Sequence, residues 1–172
     1  MNPTTTGHGH VRTYRYVQPS LAPRAGMGNR RAVLAGTGAG VGYLSVLAFT
    51  PTLQELPAVS LPLLFGTGVV AGVVAGTLAD DSPGHHGLLA GSLTGGVAGV
   101  AVVLVFFANE PYGVFNGLNR LAATRLAPID LAFRYPDATT GLIAGGCWAS
   151  IAAIAAYAGR FAPRLRGELI RE

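Results

Sequence analysis

The chain has 172 residues, of which half are apolar and only 12% are charged, and its formal net charge at pH 7 is +4. Soluble domains carry about 25% charged residues, so this composition argues against a soluble globular domain. All twelve basic residues are arginine, and the single cysteine, Cys147, excludes an intramolecular disulfide.

Four long gaps separate the charged residues. Asp, Glu, Lys and Arg are absent from 32–54, 56–79, 82–109 and 138–159. A helix of about 20 residues is about 30 Å long, which matches the hydrocarbon core of a bilayer. The sequence therefore predicts an all-α polytopic membrane bundle of four transmembrane helices, with spans at about 32–49, 59–79, 87–108 and 141–159.

The segments that flank this bundle differ from it in composition. Residues 1–28 lack apolar periodicity and are predicted to form a polar N-terminal tail, and residues 160–172 a short basic C-terminal tail. The four-helix transmembrane domain is then 29–159.

Two of the connections between spans are predicted to be turns. Residues 50–62 contain three prolines, the last of which, Pro62, is tolerable in the first turn of the second span. Residues 80–86 are polar and glycine-containing, so we expect a tight hairpin loop there.

The third connection carries an amphipathic pattern at about 112–126. Apolar side chains recur on one side of a helix, and Asn116, Arg120 and Thr124 fall on the other. We expect a helix that lies in the membrane interface or caps the bundle.

Arginine is distributed unevenly between the two predicted sides of the membrane. With the N-terminus inside, nine arginines are internal, and only Arg120, Arg125 and Arg134 are external. Cytoplasmic segments of membrane proteins carry an excess of lysine and arginine. The protein is therefore predicted to lie in a cell membrane with both termini in the cytoplasm, or in a virion membrane with both termini on the internal side. Arg30 and Arg31 are predicted to anchor the first span on the inside, and the alternative is a twin-arginine export signal, which they resemble.

Glycine recurs every fourth residue in the spans. Residues four apart share a helix face, and glycine lets two backbones approach closely. We expect the second and third spans to form an antiparallel glycine-zipper pair, with the glycine faces used for internal packing or, alternatively, lining a pore or an oligomer interface. The predicted helix-packing residues are Gly36, Gly40, Gly68, Gly72, Gly76, Gly87, Gly91, Gly95, Gly99, Gly141 and Gly145.

The spans contain hydroxyl groups and one thiol but no Asp, Glu, Lys, Arg or His at membrane depth. Proton relays and ion-coupled transporters bury ionisable groups there. We therefore predict no catalytic residue, no cofactor and no enzymatic activity.

The hairpin loop holds the residue types of a metal site. Asp80, Asp81, His85 and His86 suit Zn²⁺ or Ni²⁺, but their spacing matches no recognised site. We predict a solvated hairpin without a metal, and these four residues are the candidate ligands of the alternative.

The stretch 66–99, a glycine-zipper span, an Asp/Gly/His hairpin and a second zipper span, resembles small glycine-rich four-span membrane proteins of unknown function from halophilic archaea or their viruses. The absence of lysine fits that source, whereas the positive net charge does not. The resemblance implies a fold and no activity.

These observations favour a non-enzymatic structural or accessory integral membrane protein that forms part of a homo- or hetero-oligomeric membrane assembly. The alternatives are a passive pore or small-solute facilitator and, more weakly supported, a metal-handling membrane protein. The expected partners are the lipid bilayer, further copies or other membrane subunits, and anionic lipid headgroups at the terminal arginines. No run of four basic residues occurs, so nucleic acid is not expected.

Overall fold

The computed structural model describes residues 25–108, 113–126 and 134–169, with side chains described for 29–105, 113–124 and 134–164. These residues form an all-helical structure, as predicted. Four helices are long and apolar enough to cross a membrane, which confirms the predicted number of candidate spans. The α-helices are α1 (Ala25–Phe49), α2 (Pro57–Leu78), α3 (Pro83–Ala108), α4 (Gly113–Leu126) and α5 (Pro136–Leu169), and a 3₁₀ helix forms at Pro51–Glu55.

The third helix begins at Pro83, before the start of the predicted span. Proline is favoured at the first helical position because its φ is already helical and its missing N–H has no partner there. Ser82, with φ of +46°, turns the chain into α3, and its carbonyl oxygen accepts the backbone N–H groups of His85 and His86 at 2.9 and 3.3 Å. The two histidines therefore belong to the first turns of a helix, and the predicted loop 80–86 is wrong over this part.

The fifth helix is longer than its predicted span at both ends, and it continues through Pro163 into the predicted C-terminal tail. Two contacts stabilise this extension. Ala162 is fully buried, and a Cβ placed on Gly76 of α2 would lie 2.9 Å from the Ala162 Cβ. The ring of Tyr157 packs at 4.8 Å between centroids on that of Phe161, one turn later.

The second helix begins at Pro57, again at a proline that occupies the start of the helix. Pro62 consequently lies inside α2, in its second turn, and the prediction of a first-turn position is wrong. The preceding 3₁₀ helix, Pro51–Glu55, occupies the first part of the predicted turn region 50–62, and α2 occupies its last part.

The spans are arranged around α2 and α3. Helix α1 packs on both of these helices, and α5 packs on both more extensively. On α2, Ala71 lies against α1, whereas Gly72 lies against α5. One side of the α2–α3 pair therefore carries α1, and the other carries α5.

Helix α4 closes the end of the bundle opposite the α2–α3 hairpin. It packs on α2, on the 3₁₀ helix and on α1, as expected for a capping helix. Val114, Phe115 and Leu118 are buried in a core cluster with residues of the spans, including Leu64, while Arg120 is exposed. Tyr112, predicted to begin this helix, lies outside the described residues.

Candidate functional site

The predicted zipper glycines of α2 and α3 face α5 rather than each other. A Cβ on Gly68 would lie 2.7 Å from Ile151 O, and one on Gly76 would lie 2.5 Å from Gly159 O. Gly72 lies similarly close to the backbone of Ala155. The predicted antiparallel zipper between the second and third spans is therefore wrong in its pairing, because the alanine-rich face of α5 occupies the space beside both glycine faces.

The α3 glycines form the second wall of this arrangement. A Cβ on Gly87 would lie 2.5 Å from Ala155 O, and one on Gly95 would lie 2.9 Å from Trp148 O. Gly91 also lies against Ala155, while the separation at Gly99 is looser, 3.3 Å to Ala144 O. Helices α3 and α5 are therefore closest toward the hairpin end of the bundle.

Gly159 of α5 lies where α2, α3 and α5 come together. A Cβ on Gly159 would lie 2.7 Å from Pro83 O and 3.3 Å from Gly72 O, and 3.2 Å from the Cα of Gly87. Each of these helices would have to move to accept a side chain. Weak Cα–H···O bonds and van der Waals contacts are the forces that such a close approach favours.

The two interleaved glycine pairs of α1 have opposite environments. A Cβ on Gly36 would lie 2.6 Å from Ala71 O, and one on Gly40 would lie 2.8 Å from the Thr94 side chain. For Gly38 and Gly42, nothing among the described residues lies within 4 Å of such a Cβ. Among the residues that the structure describes, Gly36 and Gly40 have packing partners, and Gly38 and Gly42 do not.

Gly141 and Gly145, two of the predicted helix-packing residues, have no packing partner among the described residues. No atom of the described residues lies within 4 Å of a Cβ on either, and both are exposed. The buried face of α5 passes instead through Cys147, Ile151 and Ala155, because those residues face α2 and α3. An exposed stripe of small residues therefore runs along the outside of α5, and we call it the α5 stripe: Gly141, Gly145, Ala149 and Ala153.

The candidate metal ligands lie at the hairpin end. His86 is buried and its Nδ1 lies 3.2 Å from Ser82 O, whereas His85 and Asp81 are exposed. The histidine rings meet edge to face, with 5.9 Å between their centroids. Within the described part of the chain, no three of His, Cys, Asp and Glu are grouped as a metal ion requires. His8 and His10 lie outside it.

Two grooves flank the first turns of α3 at this end. The Arg30 groove, about 360 Å³ in volume, lies between α1 and α3 and is lined by Asn29, Arg30, Val33, Leu34, His86 and Leu89. The Arg160 groove, about 460 Å³, lies between α3 and α5 and is lined by Ser82, Pro83, Gly84, His85, Leu88, Ala156 and Arg160. Each groove thus combines one arginine, one histidine and leucine.

Sequence reasoning missed these grooves because it assigned both histidines to a loop. In a helix, consecutive residues are about 100° apart, so His85 and His86 turn to different sides of α3. The available signal was Pro83, whose preference for the first helical position predicts that the helix starts there.

The hydroxyl groups in the spans are of two kinds. Ser45 Oγ donates to Val41 O at 2.9 Å, and Thr77 Oγ1 donates to Val74 O at 3.0 Å, so both are satisfied within their own helix. Thr37 Oγ1 and Thr94 Oγ1 are buried and have no hydrogen-bond partner among the described residues.

Comparisons with known proteins add no relative: no family model matches the chain, and neither does a curated protein or a solved structure.

Proposed function

We propose that the protein is a non-enzymatic structural or accessory subunit of a membrane assembly, and that the α5 stripe is the surface through which it assembles. The observation that carries this proposal is that Gly141, Gly145, Ala149 and Ala153 are all exposed on one face of α5.

Glycine inside a helix costs about 0.5–1 kcal/mol relative to alanine because of its backbone freedom. Where Gly72 admits α5, close packing offsets that cost, whereas at Gly145 no described residue comes close enough to do so. Small residues are enriched where membrane helices meet, so a second helix seated on the α5 stripe would supply the missing contacts.

The outer face of α3 provides the contrast. Its exposed residues include Leu93, Val97 and Leu104, which are bulky and aliphatic, as expected for contact with lipid chains. Bulky residues of α5 such as Leu142 and Tyr157 are exposed as well, so the contrast is between the small residues of the α5 stripe and the aliphatic face of α3. This contrast favours a protein partner for the stripe and lipid for α3.

Orientation is part of the proposal. The first candidate span has Arg30 and Arg31 at its start, and the last has Arg160 and Arg164 at its finish. All four arginines therefore belong to the side of the bundle that holds the α2–α3 hairpin. This grouping supports a cytoplasmic location for that end and for both termini.

Disulfide trapping tests the assembly. Ala149→Cys places a thiol on the α5 stripe, and Val97→Cys places one at similar depth on α3, since Gly95 lies against Trp148. The wild-type chain, whose Cys147 is buried, is the background control. In native membranes treated with copper phenanthroline, we expect a product of two 17.6 kDa chains from A149C and none from V97C.

The size of the complex in mild detergent completes this test. Disulfide-linked dimer from A149C supports self-assembly, and a larger complex without that disulfide supports a different subunit on the stripe. A single chain by both measurements would overturn the proposal, as would equal trapping of A149C and V97C.

A passive pore or small-solute facilitator is the second candidate, and one observation favours it. Thr94 lies against Gly40 of α1, and Thr37 precedes Gly40 by about one turn. Their two unpartnered hydroxyls are the kind of group that a permeating polar solute contacts. Flux of water, ions or glycerol into liposomes that contain the purified protein tests this candidate, and impermeable liposomes would remove it.

A further inference from the structure

The Arg30 and Arg160 grooves share a distribution of charge. Arg30 and Arg160 each line one groove, and neither side chain has an ion-pair or hydrogen-bond partner among the described residues. Asp80 and Asp81 come just before the first turn of α3, yet neither lines a groove. Two guanidinium groups therefore meet the grooves without a counter-charge from the part of the chain that the structure describes.

The position of Arg160 adds to the positive potential at its groove. A Cβ on Gly84 would lie 2.6 Å from Arg160 Cγ and 3.1 Å from Arg160 Nε, so this side chain lies across the first turn of α3. The N-terminus of a helix carries a partial positive charge. An anion in this groove would be stabilised by both the guanidinium and the helix.

The Arg30 groove contains a buried polar group with unused capacity. His86 is 7% exposed, and its Nδ1 is directed to the carbonyl oxygen of Ser82, so that nitrogen donates. Nε2 has no hydrogen-bond partner among the described residues, and it is not among the buried atoms that lack one, so it is accessible from the groove. An imidazole with one accessible nitrogen, beside an arginine without a partner among the described residues, offers a hydrogen bond to a polar ligand in the groove.

Both grooves are also lined by apolar side chains, which lie along the helices beside the arginine and the histidine of each groove. Leu34 and Leu89 line the Arg30 groove and are 67% and 42% exposed, and Leu88 lines the Arg160 groove at 39% exposure. A ligand that fills a groove from end to end therefore needs an anionic head and a hydrocarbon chain.

We propose that each groove binds one anionic glycerophospholipid, with its phosphate at Arg30 and His86 or at Arg160 and His85, and its acyl chain along the leucines. Arginine and phosphate form charge-assisted, often bidentate hydrogen bonds. Anionic lipids concentrate in the cytoplasmic leaflet, which the hairpin end faces in the orientation proposed above. The lipid sites do not depend on assembly through the α5 stripe.

Matched arginine substitutions test the proposal on the full-length protein. Arg30→Gln removes a groove arginine, and Arg31→Gln removes the adjacent charge, which lines neither groove. Arg160→Gln and Arg164→Gln form the second pair, since Arg164 lies over the ring of Phe161, 5.3 Å from its centroid. Phosphatidylglycerol and phosphatidylcholine are titrated into each detergent-purified variant, and retained lipids are counted by native mass spectrometry.

We expect the wild type to retain two phosphatidylglycerol molecules in preference to phosphatidylcholine. R30Q and R160Q should each weaken one of the two by about tenfold or more, the effect of one charge-assisted hydrogen bond. R31Q and R164Q should bind like the wild type, and Arg30→Lys should retain most of the affinity because lysine also attracts phosphate.

Three results would overturn the inference. The first is an equal loss in R31Q and R30Q, which would indicate diffuse attraction by the basic end. The second is equal retention of phosphatidylcholine. The third is displacement of the lipid by excess glycerol phosphate, a soluble anion without an acyl chain, because the site would then take phosphate alone.

Discussion

The indole Nε1 of Trp148 donates a hydrogen bond of 2.9 Å to the carbonyl oxygen of Ser92, and this bond joins α5 to α3. The indole reaches the α3 backbone because Gly95 has no side chain, since a Cβ there would lie 3.0 Å from Trp148 Cδ1. A carbonyl oxygen has two lone pairs, so Ser92 can accept this bond as well as one within its own helix. A glycine that permits close approach thus also permits a polar link between two spans.

Trp148→Phe should destabilise the bundle by about 0.6 kcal/mol, and by at most about 1.7 kcal/mol, the range measured for hydrogen bonds between membrane helices. The substitution keeps an aromatic ring and removes the N–H donor. Unfolding in an SDS titration, followed by circular dichroism because Trp148 is the single tryptophan, measures the change. Tyr157→Phe, on an exposed side chain, is the control and should have little effect. Equal stability of W148F and wild type would contradict this role for the indole.

Gly36→Ala and Gly38→Ala make the same change two residues apart on α1, and their effects should have opposite signs. At Gly36 the new Cβ would lie 2.6 Å from Ala71 O, so we expect overpacking to cost about 1–3 kcal/mol. At Gly38 no described atom lies within 4 Å, and the higher helix propensity of alanine should stabilise by up to about 1 kcal/mol. The fluorescence of Trp148 during SDS titration reports both. A smaller loss in G36A than in G38A would show that α1 does not pack on this face.

Thr94→Val should stabilise the protein by about 1 kcal/mol or more. The substitution puts a methyl group of similar size in place of a buried hydroxyl that has no hydrogen-bond partner among the described residues. Thr67 is equally buried, but its hydroxyl donates to Leu64 O, so Thr67→Val should be destabilising by about 0.5–1.5 kcal/mol. Thermal unfolding in mild detergent compares the two variants. A destabilised T94V would mean that the hydroxyl is solvated inside the bundle, and this result would favour the pore candidate.

The number of candidate spans and their approximate bounds were predictable because each depends on a local property, the length of an apolar stretch without charge. The ends of the helices were less predictable. Helices α3 and α5 begin at Pro83 and Pro136, before the predicted spans. Hydropathy places the end of a span at the first polar residues, whereas a helix can continue through them. The grooves at Arg30 and Arg160 were not predictable, because residues far apart in the chain line them.

The sequence by itself determined that four glycine-rich helices are apolar enough for a membrane and that residues such as Gly68, Gly72 and Gly76 share a face. Only the tertiary structure decided which helix each face meets: Gly72 and Gly87 both meet α5, Gly36 packs while Gly38 is open, and Gly145 lies outside. The physical reason is that a spacing of four residues fixes which side chains lie on one side of a helix, whereas a face without side chains fits any backbone that comes close. The choice among such partners depends on how all the helices of the bundle fit together.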